Sequence, residues 1–358
     1  MQLRLSANSK ILKENNTLIY KASAVSSGFQ TSDKERQKIF IYLLSSVSMN
    51  LMKQTLRYFI LLTGLSLMAG NANAQQDPQF SMYMFDKMAV NPAAAGSKDA
   101  LEANLIARDQ WVDIQGAPKT VALAMQAPVA SQKVGWGAEI MADQIGPTTS
   151  TSIQGNYAYH LRCGNGKLSM GLGLGLYDYV IDFSQINYRD QNDPYNSYGR
   201  SQQLVPTAEA GLYYYSRSFY AGISFNHLIE GKMTNENFDS AATFRPHAYF
   251  IMGQGFQLSK QVIFNPSILI KYVQNAPPTG DVNFDFLIDN KLWIGASYRF
   301  LYGVVAMVAY RVSPAFQLAY AYDLGINGIG NAGGGSHEIC LTLDIGNRKT
   351  VQTSPRYF

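Results

Sequence analysis

Charge is what this 358-residue chain has least of: Asp, Glu, Lys and Arg make up 15% of it, where globular proteins carry roughly 25%. That shortage argues against a charged soluble surface, a coiled coil and a disordered polar chain. Cysteine is also scarce. Cys163 and Cys340 are the only two, too few for a disulfide framework and outside any metal-ligand spacing. The four histidines (His160, His227, His247 and His337) form no HExxH or other paired spacing, so no metal or cofactor is read from them. From residue 75 onward no run of 18 uninterrupted apolar residues occurs, which excludes a helical membrane span.

Basic side chains are lacking where a nucleic-acid surface would need them. Nine of the 29 Lys and Arg precede residue 75, against three of the 25 acids, which leaves 20 basic and 22 acidic residues beyond it. The net charge of +4 therefore belongs to the leading residues, and no nucleic-acid partner is implied by it.

Those leading residues read as a targeting segment. Lys53 and Arg57 precede an apolar stretch from Tyr58 to Met68, and Ala72-Asn73-Ala74 offers a small-x-small cleavage site. The reading is a signal peptide over 52–74, cleaved before Gln75, preceded at 1–51 by an extension absent from the mature protein. Met49 or Met52 is then the expected true start. Residues 75–100 lack a strand of membrane length. Their Phe80, Tyr83, Phe85, Asn91-Pro92 and Gly96 point to an ordered periplasmic or plug-like segment, packed on or in the larger domain C-terminal to it.

What the chain has in abundance is aromatics and glycine: Tyr 23, Phe 18 and Gly 30. It also alternates. Met170, Leu172, Leu174 and Leu176 share one phase against Gly171, Gly173, Gly175 and Tyr177; Ile339, Leu341, Leu343 and Ile345 alternate with Glu338, Cys340, Thr342 and Asp344. Successive strand side chains point to opposite faces, so each such segment has an apolar face and a polar or small one. Fourteen segments obey this rule: 101–110, 119–127, 134–143, 149–162, 167–181, 206–215, 217–227, 245–256, 261–273, 279–289, 291–301, 302–311, 314–324 and 336–346.

A soluble sandwich would also alternate, but with strands of about 5–6 residues; these are about 10 long, the length a tilted strand needs to cross a bilayer. Their polar face is Gly, Asn, Ser and Asp, and aromatics such as Tyr213-Tyr214-Tyr215, Phe219-Tyr220, Tyr298 and Tyr320 crowd their ends as a girdle would. Connections alternate long (182–205, 228–244, 325–335) and short (163–166, Ser216, 257–260, Asn290). The fold expected is all-β: a transmembrane antiparallel β-barrel of about fourteen strands over 101–346, with the short N-terminal segment on or in it and a tail at 347–358. It belongs in the outer membrane of a Gram-negative bacterium.

No chemistry stands out along these strands. The glycines of Gly171-Leu172-Gly173-Leu174-Gly175 are spaced by two with no helix after them, so they cradle no phosphate and instead make room for a plug or a neighbouring aromatic. Ser336 and His337 are adjacent and must face opposite sides of a strand. No nucleophile, base and orienting group assemble, so an enzyme is not expected. Glu102, Arg108, Glu209, Lys271, Asp281, Asp285, Arg299, Asp323 and Glu338 fall on the lumen phase. Their mixed sign suits structural pairing better than an ion-selective pore.

Several motifs resemble the PorP/SprF family of Bacteroidetes outer-membrane proteins. They are Gln76-Asp77-Pro78-Gln79-Phe80 with Tyr83, Asn91-Pro92-Ala93, Ala95-Gly96-Ser97, Arg108-Asp109-Gln110-Trp111, Gly116-Ala117-Pro118-Lys119-Thr120, Asp143 to Pro147, His227-Leu228, Ser336-His337-Glu338-Ile339 and the terminal Ser354 to Phe358. The resemblance implies a non-enzymatic component of type IX secretion that binds or anchors secreted cell-surface proteins through a C-terminal sorting domain. It also implies contact with periplasmic ring proteins of the machinery and, in some members, a part in gliding motility. Its expected partners are thus secreted proteins with such domains, secretion-system proteins and outer-membrane lipid. Arg108, Trp111, Gly116 and Pro118, around the first outer loop, are the expected partner-binding residues. A passive channel or hydrophobic-solute transporter is the alternative.

Overall fold

The computed structural model describes residues 77–98, 100–129, 132–190, 199–229, 232–235, 238–243, 245–274, 276–330 and 332–346. The extension expected at 1–51, the signal peptide at 52–74 and the tail at 347–358 lie outside them. The strands are β1 (Leu101–Asp109), β2 (Lys119–Pro128), β3 (Val134–Ile145), β4 (Thr148–Cys163), β5 (Gly166–Asp182), β6 (Arg200–Tyr215) and β7 (Phe219–Asn226). They continue with β8 (His247–Gln254), β9 (Val262–Val273), β10 (Thr279–Ile288), β11 (Leu292–Arg299), β12 (Gly303–Arg311), β13 (Phe316–Gly325) and β14 (Ser336–Ile345).

Each strand pairs antiparallel with its sequence neighbour, and β14 returns to β1 with Arg108 opposite Glu338 and Leu101 opposite Ile345. The result is a closed fourteen-stranded barrel, which leaves no sheet edge unpaired in lipid. Its alternation is the one expected. On β5, Leu172 and Leu174 point outward, 62% and 69% exposed, while Gly171 and Gly173 face in. All nine charges assigned to the lumen phase are buried.

Three details differ from the sequence reading. Strand β6 begins at Arg200, not 206, because β5 runs on to Asp182 and offers partners through Asp182↔Arg200. The connection expected at 228–244 contains a hairpin, Lys232–Asn235 with Phe238–Thr243. The aromatic girdle is also smaller than expected. Tyr213, Tyr215 and Tyr220 point inward, 0%, 3% and 0% exposed, since three consecutive tyrosines cannot share one face of a strand. Tyr213 and Tyr215 stack at 5.5 Å, and the Lys87 ammonium lies 4.8 Å over the Tyr220 ring.

The segment ahead of β1 runs inside the barrel. Ala95 and Gly96 sit at the short-turn end against Gly135 and Ala127, while Asp77 reaches the opposite mouth, beside His227 and Lys271. Between them Met82, Tyr83, Met84, Phe85 and Met88 are nearly or fully buried.

Placing a charge on the outer face at mid-strand should cost about 2–4 kcal/mol. Leu174→Arg is therefore expected to lower the urea midpoint of the barrel folded into lipid vesicles, with the unfolding slope unchanged.

Candidate functional site

The lumen segment is shaped by its own residues before it meets the wall. Pro92 opens a single 3-10 turn, Pro92–Ala94, capped by Asn91, whose Oδ1 accepts the Ala93 N–H at 2.9 Å. Proline suits that first position because its missing N–H is not needed there. The Asn91 Nδ2 donates to the Leu212 carbonyl of β6 at 3.0 Å. Ala93 lies directly on Gly171, where a Cβ would collide with the Ala93 and Pro92 backbone. Gly96, at φ +65°, lies as closely on Gly135. Of the glycine run on β5, Gly171 thus makes room for the segment, while Gly173 faces Asn156 and Glu209.

Above this contact the segment meets a buried ion network. The Arg108 guanidinium donates to Asp323 at 2.6 Å and to Glu338 at 2.8 Å. Arg299 donates to Asp281 and to Asp323, each at 3.0 Å. These two cations and three carboxylates would leave one negative charge in excess. The segment supplies the missing donors: the N–H groups of Ser81 and Met82 reach the two Glu338 oxygens at 2.8 Å each. The Ser81 hydroxyl donates to Asp323 and accepts from Arg108 and Arg299. Lower down, Lys98 pairs with Glu102 at 2.5 Å and donates to the Phe85 carbonyl at 2.9 Å.

At the long-loop mouth Asp77 joins two histidines. His227 Nε2 lies 2.9 Å from its Oδ1, His247 Nδ1 lies 3.8 Å from its Oδ2, and the Tyr249 hydroxyl donates to it at 3.2 Å. Burial would raise the Asp77 carboxyl pKa, but His227 and His247 outweigh it and hold the carboxyl well below the usual range. For His227 burial works downward, and the Asp77 carboxylate more than offsets it, so the imidazole titrates above its ordinary value. Among the described residues this is the one trio of His, Cys, Asp or Glu side chains with metal-ligand proximity, its donor atoms within 4.8 Å of one another. No spacing in the sequence marks it, because Asp77 reaches the histidines only by threading the lumen.

The residues expected to bind a partner separate into two groups. Arg108 shares the inward phase of Glu102, Asn104 and Ile106 and lies 3% exposed in the ion network, away from the loop surface. Trp111 and Gly116 do sit on the first outer loop, both at positive φ (51° and 76°), and Pro118 is buried beneath it. That loop is braced by the Val112 N–H to the Gly335 carbonyl at 2.9 Å and the Gly146 N–H to the Gly116 carbonyl at 2.9 Å. It encloses a concavity of about 480 Å³ lined by Asp109, Trp111, Ile114, Gly116, Lys119 and Gln144. On β14, Ser336 faces inward, while His337 meets Tyr320 at 2.7 Å on the other side.

The family described as Type IX secretion system membrane protein PorP/SprF matches residues 72–343. No curated protein matches the chain. Among solved structures, Omp33 of Acinetobacter baumannii is 10% identical over 70% of this chain and 98% of its own, with a TM-score of 0.39. A Pseudomonas aeruginosa FadL homologue is 10% identical over 77% of this chain and 96% of its own, with a TM-score of 0.42. The Pseudomonas putida toluene transporter TodX is 11% identical over 77% and 95%, with a TM-score of 0.40. At that identity and overlap no substrate or partner passes from them to this chain.

Removing one partner from a buried ion network costs about 3–5 kcal/mol, because the others stay buried without it. Arg108→Ala is expected to lower the urea midpoint accordingly and to speed proteolysis of residues 77–98 in the folded barrel. A variant lacking 77–98 that still folds should show larger single-channel conductance in planar bilayers than the full chain.

Proposed function

The chain belongs to the PorP/SprF family of type IX secretion system membrane proteins, and from that premise we propose that it binds and anchors secreted cell-surface proteins bearing a C-terminal sorting domain. An exported adhesin is the kind of cargo meant, and the barrel associates with the secretion machinery while holding it. The mature protein begins after a cleaved signal peptide and resides in the outer membrane. Its role is non-enzymatic.

The observation that carries this reading is the filled lumen. A barrel whose interior is taken up by its own N-terminal segment, held by buried charge pairs and backbone amides, has its mouths left for work. Loops on a rigid scaffold are where recognition is usually placed. The first outer loop is the docking element we assign, with Trp111 and Gly116 at the concavity and Pro118 fixing the loop's return into β2. Arg108 contributes from below by anchoring the strand that launches the loop. A passive channel or hydrophobic-solute transporter is the competing reading; it requires the segment to leave the lumen.

Buried aromatic anchors commonly contribute about 2 kcal/mol or more to an interface. Trp111→Ala is therefore expected to reduce co-purification of the secreted client at least tenfold while the barrel keeps its heat-modifiable mobility. Gly116→Val, forced at φ +76°, should do the same by reshaping the loop. Undiminished client binding in both variants would remove this loop from the interface. Surface display of every type IX client in a deletion strain would remove the anchoring reading itself.

A further inference from the structure

We propose that Asp77, His227 and His247 form a divalent-metal site, suited to Zn2+, that fastens the N-terminal segment to the barrel wall at the long-loop mouth. The ligands come from three places in the chain: Asp77 from the lumen segment, His227 from just beyond β7, and His247 from the start of β8. Their donor atoms lie within 4.8 Å of one another. Two imidazoles and a carboxylate with a fourth position left open are a common zinc ligand set.

The histidine environments carry the case. His247 is buried, its side chain 3% exposed. Its Nδ1 lies 2.9 Å from the Arg245 carbonyl, while its Nε2 is buried with no hydrogen-bond partner. A carbonyl can only accept, so Nδ1 carries the proton and Nε2 the lone pair. Of the two ring nitrogens it is Nδ1 that lies toward Asp77, 3.8 Å from Oδ2, and the Nε2 lone pair is left buried and unused. On His227, Nδ1 faces the Thr207 hydroxyl at 3.1 Å and Nε2 faces Asp77 at 2.9 Å.

The two rings also stand at the right separation. With Zn–N bonds of about 2.0–2.1 Å and tetrahedral angles, two ligating imidazoles have centroids about 5 Å apart; here the His227 and His247 centroids are 5.5 Å apart at 69°. Binding asks for a turn of the His247 ring about χ2 that carries Nδ1 off the Arg245 carbonyl and brings Nε2 toward the carboxylate.

Charge and space are compatible with a dication. Lys271 approaches the Asp77 backbone carbonyl at 3.2 Å, adding a nearby positive charge. Glu209 lines, with Asp77 and His227, a cavity of about 60 Å³ between segment and wall. That is room for a water in the fourth position, which needs roughly 10–15 Å³. An ion here would tie the Asp77 end of the described lumen segment to β7 and β8, where the charge pairs around Ser81 do not reach.

The test uses the protein exported and purified from outer membranes in detergent without a polyhistidine tag, stripped with chelator, then titrated with Zn2+ by calorimetry. One Zn2+ per barrel is expected, together with slower proteolysis of residues 77–98 when it is bound. Co2+ in its place should give the visible d–d absorption of a four-coordinate site. His247→Gln and Asp77→Asn should each weaken Zn2+ binding at least tenfold, whereas His337→Gln, on the outer face, should leave it unchanged. Should His247→Gln fail to fold, Asp77→Asn, which alters the segment and not the wall, still decides the matter. Binding well below one equivalent, or equal affinity in the Asp77 variant, would overturn the proposal.

Discussion

A cluster of unlike charges buried in one lumen governs the rest of this structure. Arg108, Arg299, Asp281, Asp323 and Glu338 are each 5% exposed or less, and charges so placed persist only when paired and hydrogen-bonded. Two guanidinium groups cannot satisfy three carboxylates alone. The amides of Ser81 and Met82 and the Ser81 hydroxyl complete the set. The wall of the barrel is thus packed around a segment that completes its buried charge network.

The small residues answer the same requirement. A chain threaded through a fourteen-stranded barrel leaves little room, so the segment's narrowest part, Asn91 to Gly96, is built of Pro, Ala and Gly and lies against Gly171, Gly211 and Gly135 on the wall. Elsewhere along the segment Phe80, Tyr83, Phe85 and Met88 are buried, with Met88 against Gly137. Gly211 and Gly222 face the Asn91 side chain, so the cap of the 3-10 turn rests where β6 and β7 pair. The outer face carries Leu, Ile, Val and aromatics, and its only demand is lipid.

On the proposed reading, function falls to the ends of the barrel. The long connections gather at the mouth reached by Asp77, and the first outer loop is stiffened there by neighbours on both sides. Trp111 and Asp113 hold positive φ, a conformation disfavoured for L-residues. Strain of this kind persists only where surrounding structure imposes it, and it gathers at binding sites. Segment end, first loop and histidine pair lie at the same mouth, so an event at one is physically close to the others.

Alternation by itself determined most of the architecture. A period of two over segments of about ten residues, with Gly, Asn and Asp opposite Leu and Ile, admits a lipid-facing barrel and little else, and the strand count and lumen charges are legible from it. The expected aromatic girdle fails at Tyr213 to Tyr215 because phase outranks residue type and turns two of the three inward. The motif around Asn91 is visible as an ordered turn, but its purpose is not, since Gly171 and Gly135 belong to strands far along the chain. Arg108 is legible from its strand phase as a lumen charge, whereas its partners Asp323, Glu338 and Ser81 are not, since they come from distant strands and from the threaded segment. The trio of Asp77, His227 and His247 has no signature at all. Local periodicity decides which way a side chain points; which charges and donors then meet across the lumen depends on barrel closure and on a segment threaded through it, and only the tertiary structure decides that.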